Sequence, residues 1–342
     1  MITVLLAARN GAAYLREQLD SILAQRQDGF LLYPEHLCLV ASDDCSTDGT
    51  GELLDAYAME HSKGLLVLHR RKPSGGAAEH FLSLLQLMAQ LGLGAPPTAA
   101  EGFDVSAQAM EALQKAASAS CFLLSDQDDV WLPEKIEKQL RCLHSLKNEK
   151  IPSLIHSDSS VVNESLEILS KSFFQYQKIS PERTALPQLL VQNVVTGGAV
   201  LLNRSFLPYL LRLPRLCLMH DAWLALLCAC FGQFGCVREP LYLYRQHGDN
   251  TLGAAAAGRP SEGIRRLLDG GPAAENYRRE FAQAEELLKL FGSSLSREQR
   301  DVLNAFLQIP QLGRLQKIRL MLRWGFLKDN WYRSLGMMLM IP

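Results

Sequence analysis

The chain holds 342 residues, 48% of them hydrophobic and 21% charged, so it can build a sizeable core and lacks the composition of a disordered chain. Its formal net charge of −1 excludes a general nucleic-acid binder, which carries a strong basic excess. No stretch approaches the ~20 consecutive apolar residues of a membrane-spanning helix, and the apolar start Ile2 to Ala8 is too short, and lacks the basic flank, for a secretory leader.

Strands and helices alternate from the start. Ile2 to Ala8 is a continuous apolar run, the pattern of a strand covered on both faces. After Asn10-Gly11, the residues Leu15, Leu19, Ile22 and Leu23 fall on one helical face. Leu37 to Ala41 repeats the buried strand and ends in a polar turn from Ser42 to Gly49, and a helix follows with Leu53, Leu54 and Tyr57 inward. Leu65 to Leu68 reads as a third strand, Pro73-Ser74-Gly75-Gly76 as a loop, and Phe81, Leu84, Leu85 and Met88 as the next helix's inner stripe. Residues 92–119 break the rhythm, Ala-, Gly- and Pro-rich at first and weakly helical later, and are expected to form an insertion or mobile flap. Cys121 to Leu124 is a fourth buried strand running into Ser125-Asp126-Gln127-Asp128-Asp129. Pro133 stands where a first helical residue belongs, with Glu134 and Glu137 near the positive helix end and Ile136, Leu140 and Leu143 inward.

Four such strands predict an α/β fold with a parallel, doubly wound sheet. Ligands of these sheets bind beyond the carboxyl ends of the strands, and both acidic clusters, Asp43/Asp44 and Asp126/Asp128, lie there. The second half is mixed. Leu154 to His156 is a candidate strand, Thr196-Gly197-Gly198 interrupts an apolar run from Val191 to Leu202, and Asp221 to Phe231 is an apolar helix. Leu241 to Tyr244 alternates as a short strand before Arg245-Gln246-His247-Gly248-Asp249-Asn250. At Gly253 the composition shifts to Ala, Gly and Pro, which predicts a domain over 1–252 and a C-terminal helical region over 253–342, with a capping box at Ser296 and Gln299.

Asp126 and Asp128 can face one crevice and suit Mg²⁺ or Mn²⁺ shared with substrate phosphates; the same spacing also occurs in solvated turns that cap a helix. Asp43 and Asp44 can accept from ribose or base donors, while Thr47 or Asp48 serves the turn and the helix cap. Asp221, preceded by His220 and followed by Trp223, is either a helix cap or a general base at the mouth of an apolar site, and spacing does not separate the two. The eight cysteines form no C-x-x-C pair and have no histidine at ligand spacing, so they read as buried thiols of a cytoplasmic protein.

The strings VLLAARNGAAYLREQLDSIL, ASDDCSTDGT, SDQDDVWLPEKI, TGGAVLLNR, MHDAW and YRQHGDN, in that order, resemble the GT-A glycosyltransferases of family 2. They look most like the rhamnosyltransferase-like branch that builds bacterial surface polysaccharides, and the resemblance covers residues 1–250. It implies an inverting, divalent-metal-dependent transfer of rhamnose or a hexose from a dTDP- or UDP-linked donor to a glycan or polyprenyl-linked acceptor. Carried over position by position, Ala8, Arg9, Asn10, Asp43, Asp44, Asp126, Gln127 and Asp128 fall to the donor, Asp128 and His247 to the metal, and Asp221 to the general base. Thr196, Gly197, Gly198, His220 and Trp223 fall to the acceptor side. Two positions depart from the family pattern, Arg9 where Tyr or Phe is usual and His80 where Asn is usual. A haloacid-dehalogenase-like phosphatase with Asp126 as nucleophile is one alternative, although that motif opens the first strand of its own fold, and a non-catalytic sugar-nucleotide-binding protein is another.

Between Arg314 and Arg333, six basic residues mix with Leu315, Ile318, Leu322, Trp324, Phe326 and Trp331, and Asp329 is the one acid. This is the composition of a basic amphipathic helix that lies at a membrane interface or packs on protein. The first option implies a place at the inner face of the membrane.

Overall fold

The computed structural model describes residues 1–146, 148, 150–248 and 271–341. Asp249, Asn250 and the composition break at Gly253 lie outside the described residues. By its contacts the chain divides into two compact units, Met1–Phe173 with Thr196–Leu213 and Gln233–Gly253, and Phe174–Val195 with Pro214–Gly232 and Ala254–Pro342. The division expected along the chain at 252/253 thus meets a structure in which two mid-chain segments group with the C-terminal helices.

The first unit begins as its patterning predicts: β1 (Ile2–Ala8), α1 (Ala12–Leu23), a small hairpin β2 (Arg26–Gln27) and β3 (Phe30–Leu31), β4 (Leu37–Asp43), α2 (Thr50–Glu60), β5 (Leu65–Arg70) and α3 (Ala77–Leu93). There follow β6 (Phe103–Asp104), α4 (Ala107–Ala117), β7 (Cys121–Ser125), β8 (Val130–Trp131), α5 (Lys135–His144), β9 (Ser153–Val162) and β10 (Ile168–Ser170). The strand order is β6-β5-β4-β1-β7-β11-β9-β12-β8, with β11 (Leu201–Asn203) and β12 (Gln233–Arg245) supplied from later in the chain. β5, β4, β1 and β7 are parallel neighbours, as expected, whereas β11 runs antiparallel to both β7 and β9. The centre is covered on both faces: Val4, Leu5, Leu6, Leu39, Val40, Leu123 and Leu124 are all fully buried.

Residues 92–119 hold regular elements that join the sheet edge. β6 closes the sheet edge against β5, pairing Phe103 with Arg70 and Asp104 with His69. Phe103 is fully buried, with the Arg70 guanidinium 5.0 Å from its ring centroid. Ser106 caps α4 by accepting from the Ala109 N–H, and Leu113, Ala116 and Ala117 turn that helix inward. Small inward residues made the helix look weak in the sequence. β9 is also longer than its apolar stretch suggested. It runs for ten residues, all buried, because Ser153, His156, Ser157, Asp158, Ser159 and Ser160 lie inside with the apolar ones.

The second unit is helical: α7 (Leu186–Leu189), α9 (His220–Phe231), α10 (Gly271–Phe291), α11 (Arg297–Gln308), α12 (Arg314–Trp324) and α13 (Trp331–Met340), with short α6 (Phe173–Gln177) at the junction and α8 (Leu207–Leu210) in the first unit. Trp223 and Phe231 of α9 both pack on Phe291, and Phe306 packs between Phe281, at a tilt, and Phe326, edge to face. The Ser296–Gln299 capping box starts α11, and the Gln299 amide also donates to the Cys230 carbonyl at 2.7 Å. No helix among the described residues is long and apolar enough to cross a membrane, and all eight cysteines are free thiols.

Candidate donor-binding and catalytic site

At the carboxyl ends of β1 and β4 two loops are laced together. Asn10 takes a left-handed φ of 50° that asparagine tolerates well. Its N–H donates to Ser46 Oγ at 2.9 Å, and its side-chain oxygen accepts from the Thr47 N–H at 2.9 Å. Asp48 accepts from the Ala12 N–H at 3.0 Å and from the Thr50 hydroxyl at 2.6 Å, which is the turn duty expected of it, whereas the cap of α2 is Gly49, without a side-chain bond.

Asp43 and Asp44, the candidate nucleoside contacts, are both buried. Asp43 accepts from the Ser46 N–H and stands 3.7 Å from His69 Nδ1. Asp44 is committed further: its Oδ1 accepts from the Ser74 N–H at 2.7 Å and meets Arg70 Nε at 3.3 Å, while its Oδ2 accepts from the Ser74 hydroxyl at 2.7 Å and meets Arg9 Nη1 at 3.5 Å. Asp44 therefore pins the Pro73–Gly76 loop to the strand ends, which leaves Asp43 the less occupied carboxylate.

The turn Asp126–Asp129 leads from β7 to β8, which pairs with the end of β12. Gln127 uses its side-chain amide as a second peptide: Oε1 accepts from the Arg9 N–H at 2.6 Å and Nε2 donates to the Arg9 carbonyl at 3.0 Å. A Cβ on Gly11 would fall 2.3 Å from Gln127 Cδ, so glycine there makes room for the clasp. The carbonyl of Ala8, buried at the end of β1, accepts from the Asp44 N–H at 2.8 Å.

His247 and Asp128 meet directly, Nε2 to Oδ2 at 2.8 Å, with the imidazole 4.9 Å from the Tyr14 ring. Arg245 organises the turn from the other side. Its buried guanidinium donates to the Asp128 carbonyl at 2.8 Å and the Glu164 carbonyl at 2.6 Å, pairs with Glu17, and lies 4.6 Å from the Tyr14 ring centroid. Its own N–H donates to Asp129 Oδ1 at 3.2 Å. The other Asp129 oxygen is buried without a hydrogen-bond partner among the described residues. Burial, then the charges of Asp128 and Asp126, push the Asp129 carboxyl well above its ordinary range. Lys135, fully buried 4.1 Å from the Trp131 ring centroid, is pushed down to about 7 by burial. A Cβ on Gly198 would meet Asp129 Oδ2 at 2.9 Å and Asp126 Oδ2 at 3.3 Å. The Thr196-Gly197-Gly198 segment thus makes room for the acidic cluster, and Thr196 bonds the Tyr242 hydroxyl at 3.1 Å.

Among the described residues no grouping of three or more His, Cys, Asp and Glu is arranged to hold a metal ion by itself. The donor set nevertheless fits a hard cation with few protein ligands. Mg²⁺ keeps most of its shell for water and phosphate, and two adjacent ligands on an octahedral ion with ~2.1 Å bonds lie about 3 Å apart, close to the Asp128–His247 spacing. The crowding of three carboxylates, one with an unpartnered buried oxygen, is what a cation would relieve.

Asp129, Lys135 and Arg245 were not singled out as site residues from the sequence. The first and last stand inside the strings SDQDD and YRQHG, and only the pairing of β8 with β12 brings them together. His220, Asp221 and Trp223 belong to the second unit. His220 and Trp223 are buried, which leaves Asp221 as the more accessible of the three, its carboxylate accepting from the Ala222 N–H in the first turn of α9. Met219 is the helix cap, so the capping alternative for Asp221 does not hold. A cavity of about 410 Å³ lined by Met1, Ile2, Cys121 and Asn203 opens at the amino ends of β1 and β7, the ends opposite the acidic turns of the same sheet.

The mostly parallel sheet, flanked by helices and carrying acidic turns at its strand ends, is the fold of the GT-A glycosyltransferases. A solved structure of S. aureus TarS with UDP-GlcNAc superposes with a TM-score of 0.52 at 14% identity, covering 94% of this chain and 72% of that one. Residues 3–81 match the family described as glycosyl transferase family 2. A curated relative, dTDP-rhamnosyl transferase RfbG of Shigella flexneri, is 26% identical over 138 residues, which is 40% of this chain and 36% of the relative, so the match spans little more than a third of the relative's length. The chain is thus similar to glycosyl transferase family 2 over residues 3–81, on a sheet of the GT-A fold.

Proposed function

We propose that the chain is an inverting, divalent-cation-dependent glycosyltransferase. It moves rhamnose or a hexose from a dTDP- or UDP-linked donor to a glycan or polyprenyl-linked acceptor, in cell-surface polysaccharide synthesis at the cytoplasmic face of the membrane. The observation that carries this reading is the meeting of Asp126, Asp128, Asp129 and His247 beyond β7, beside the Arg9–Gln127 clasp. The dTDP-rhamnose part rests on the relative's described donor.

In this mechanism Asp43 accepts from the nucleoside, Asp44 keeps the Pro73–Gly76 loop in place, and the Gln127 clasp fixes the acidic turn against the end of β1. Asp128 and His247 would hold the cation, which would supply charge neutralisation for the leaving diphosphate. Asp221 takes the proton from the acceptor hydroxyl, so that the oxygen attacks the anomeric carbon opposite the departing group. Arg245 orients Asp128 through its carbonyl.

The test is incubation with dTDP-rhamnose and UDP-hexoses, with Mn²⁺ or Mg²⁺, following nucleoside-diphosphate release and the anomeric configuration of the product by NMR. Cation-dependent release with inverted configuration supports the reading. Retained configuration contradicts inversion, and binding of donors with no release under any acceptor or water condition returns the chain to a sugar-nucleotide-binding role. The phosphatase alternative lapses with the fold, because β7 follows three earlier parallel strands of the same sheet.

A further inference from the structure

We infer that α12 and α13 present a docking face for an anionic lipid surface. The segment from Arg314 on is not one amphipathic helix: Gly325, at φ 74°, ends α12, and the chain turns back into α13. Met321, Phe326, Met337 and Met338 point into the second unit. Lys317 Nζ near the start of α12 reaches the Ile341 carbonyl just past α13, so the two helices run side by side in opposite directions.

What they leave outside is apolar and basic. On α13 the stripe Trp331, Leu335 and Leu339, spaced i, i+4, i+8, is exposed, the tryptophan by 78%. On α12 Leu315 is 75% exposed and Leu322 lies on the same side, interleaved with exposed Arg314, Arg319 and Arg323. The carboxylate that interrupts the basic run, Asp329, is consumed inside: Arg183 Nε holds it at 2.9 Å and it accepts from the Ser180 N–H at 3.0 Å. The outward charge is therefore cationic although the whole chain carries −1. Exposed leucines and a tryptophan among arginines match the boundary between acyl chains and anionic headgroups, the leucines and indole burying apolar area and the arginines meeting lipid phosphate. A water-facing helix pair has no use for five large exposed apolar side chains.

This inference stands apart from the donor chemistry, and its test reads lipid binding alone. The full chain is floated with vesicles of phosphatidylcholine and with vesicles enriched in phosphatidylglycerol. Binding to the anionic vesicles, weakening with salt, is expected. Arg319→Glu with Arg323→Glu should lower the partition about tenfold or more, and Trp331→Ala with Leu335→Ser should abolish it, with melting temperature and donor binding unchanged. Leu315→Ser with Leu322→Ser repeats the test on α12 should the α13 pair unfold. Absence of flotation with anionic vesicles overturns the inference. So does self-association in light scattering that the same substitutions abolish, because that assigns the face to a second copy of the chain.

Discussion

Asp128 and His247 touch at hydrogen-bond distance, yet each belongs to a loop more than a hundred residues from the other. What holds them is the buried Arg245, whose guanidinium carries the Asp128 carbonyl on one side and Glu17 on the other. Truncation of a buried, hydrogen-bonded guanidinium leaves its partners unsatisfied, at about 3 kcal/mol or more. Gly198→Ala is milder: the added methyl meets two carboxylate oxygens, so donor binding in Mn²⁺ should weaken severalfold while urea stability changes by less than about 3 kcal/mol. Unchanged donor affinity in that variant would detach the glycine from the acidic site. His80 offers a pH test. It is buried on α3 with Nε2 2.8 Å from Ser42 Oγ, and burial pushes it down to about 4 from 6.5. Its folded pKa lies below its unfolded one, so the unfolded chain binds the extra proton between about 4 and 6.5; the stability is complete above that window and is lost as pH falls through it. Acidifying from about pH 7.5 to about 5.5 should remove roughly 1 kcal/mol through this group. His80→Asn should abolish that part of the loss, measured as the shift of the urea midpoint between the two pH values; an equal shift in both proteins would assign the loss elsewhere. At this scale the sequence exposed the acids through their strand-end positions. It could not expose Arg245, because an arginine after a short strand looks like any solvated loop cation until β12 is paired.

Among elements, the apolar runs of β1, β4, β5 and β7 were legible because strands covered on both faces are apolar throughout. β9 was legible only at its apolar start, since the serines, His156 and Asp158 that continue it are buried polar residues that hydropathy reads as loop. The elements of the β6–α4 segment were hard to read for the opposite reason: its inward face is mostly alanine, and the ring that anchors it, Phe103, stands alone in a polar stretch. Phe103→Ala should therefore cost about 3–5 kcal/mol of stability in urea denaturation, the range of a buried aromatic truncation. A cost under about 1 kcal/mol would mean that the segment is a flap after all.

For the molecule as a whole, the chain order predicted two successive domains, whereas the contacts interleave them: α9, with Asp221, groups with helices from the far end of the chain. Sequence patterning has no signal for that, because hydropathy marks which residues are buried and not which distant segment they are buried against. Asp221→Asn should keep donor affinity and lower turnover by ~10²-fold or more, read as kcat beside a donor titration; near-normal turnover would remove Asp221 from the base role. Whether the acidic turn of the first unit grips a donor through a divalent cation is read by calorimetric titration of a UDP- or dTDP-sugar. Wild-type protein should bind in Mn²⁺ and lose most of that affinity in EDTA, and Asp128→Ala should bind no better in Mn²⁺ than the wild type does in EDTA. Equal donor affinity in all of these conditions would contradict the account.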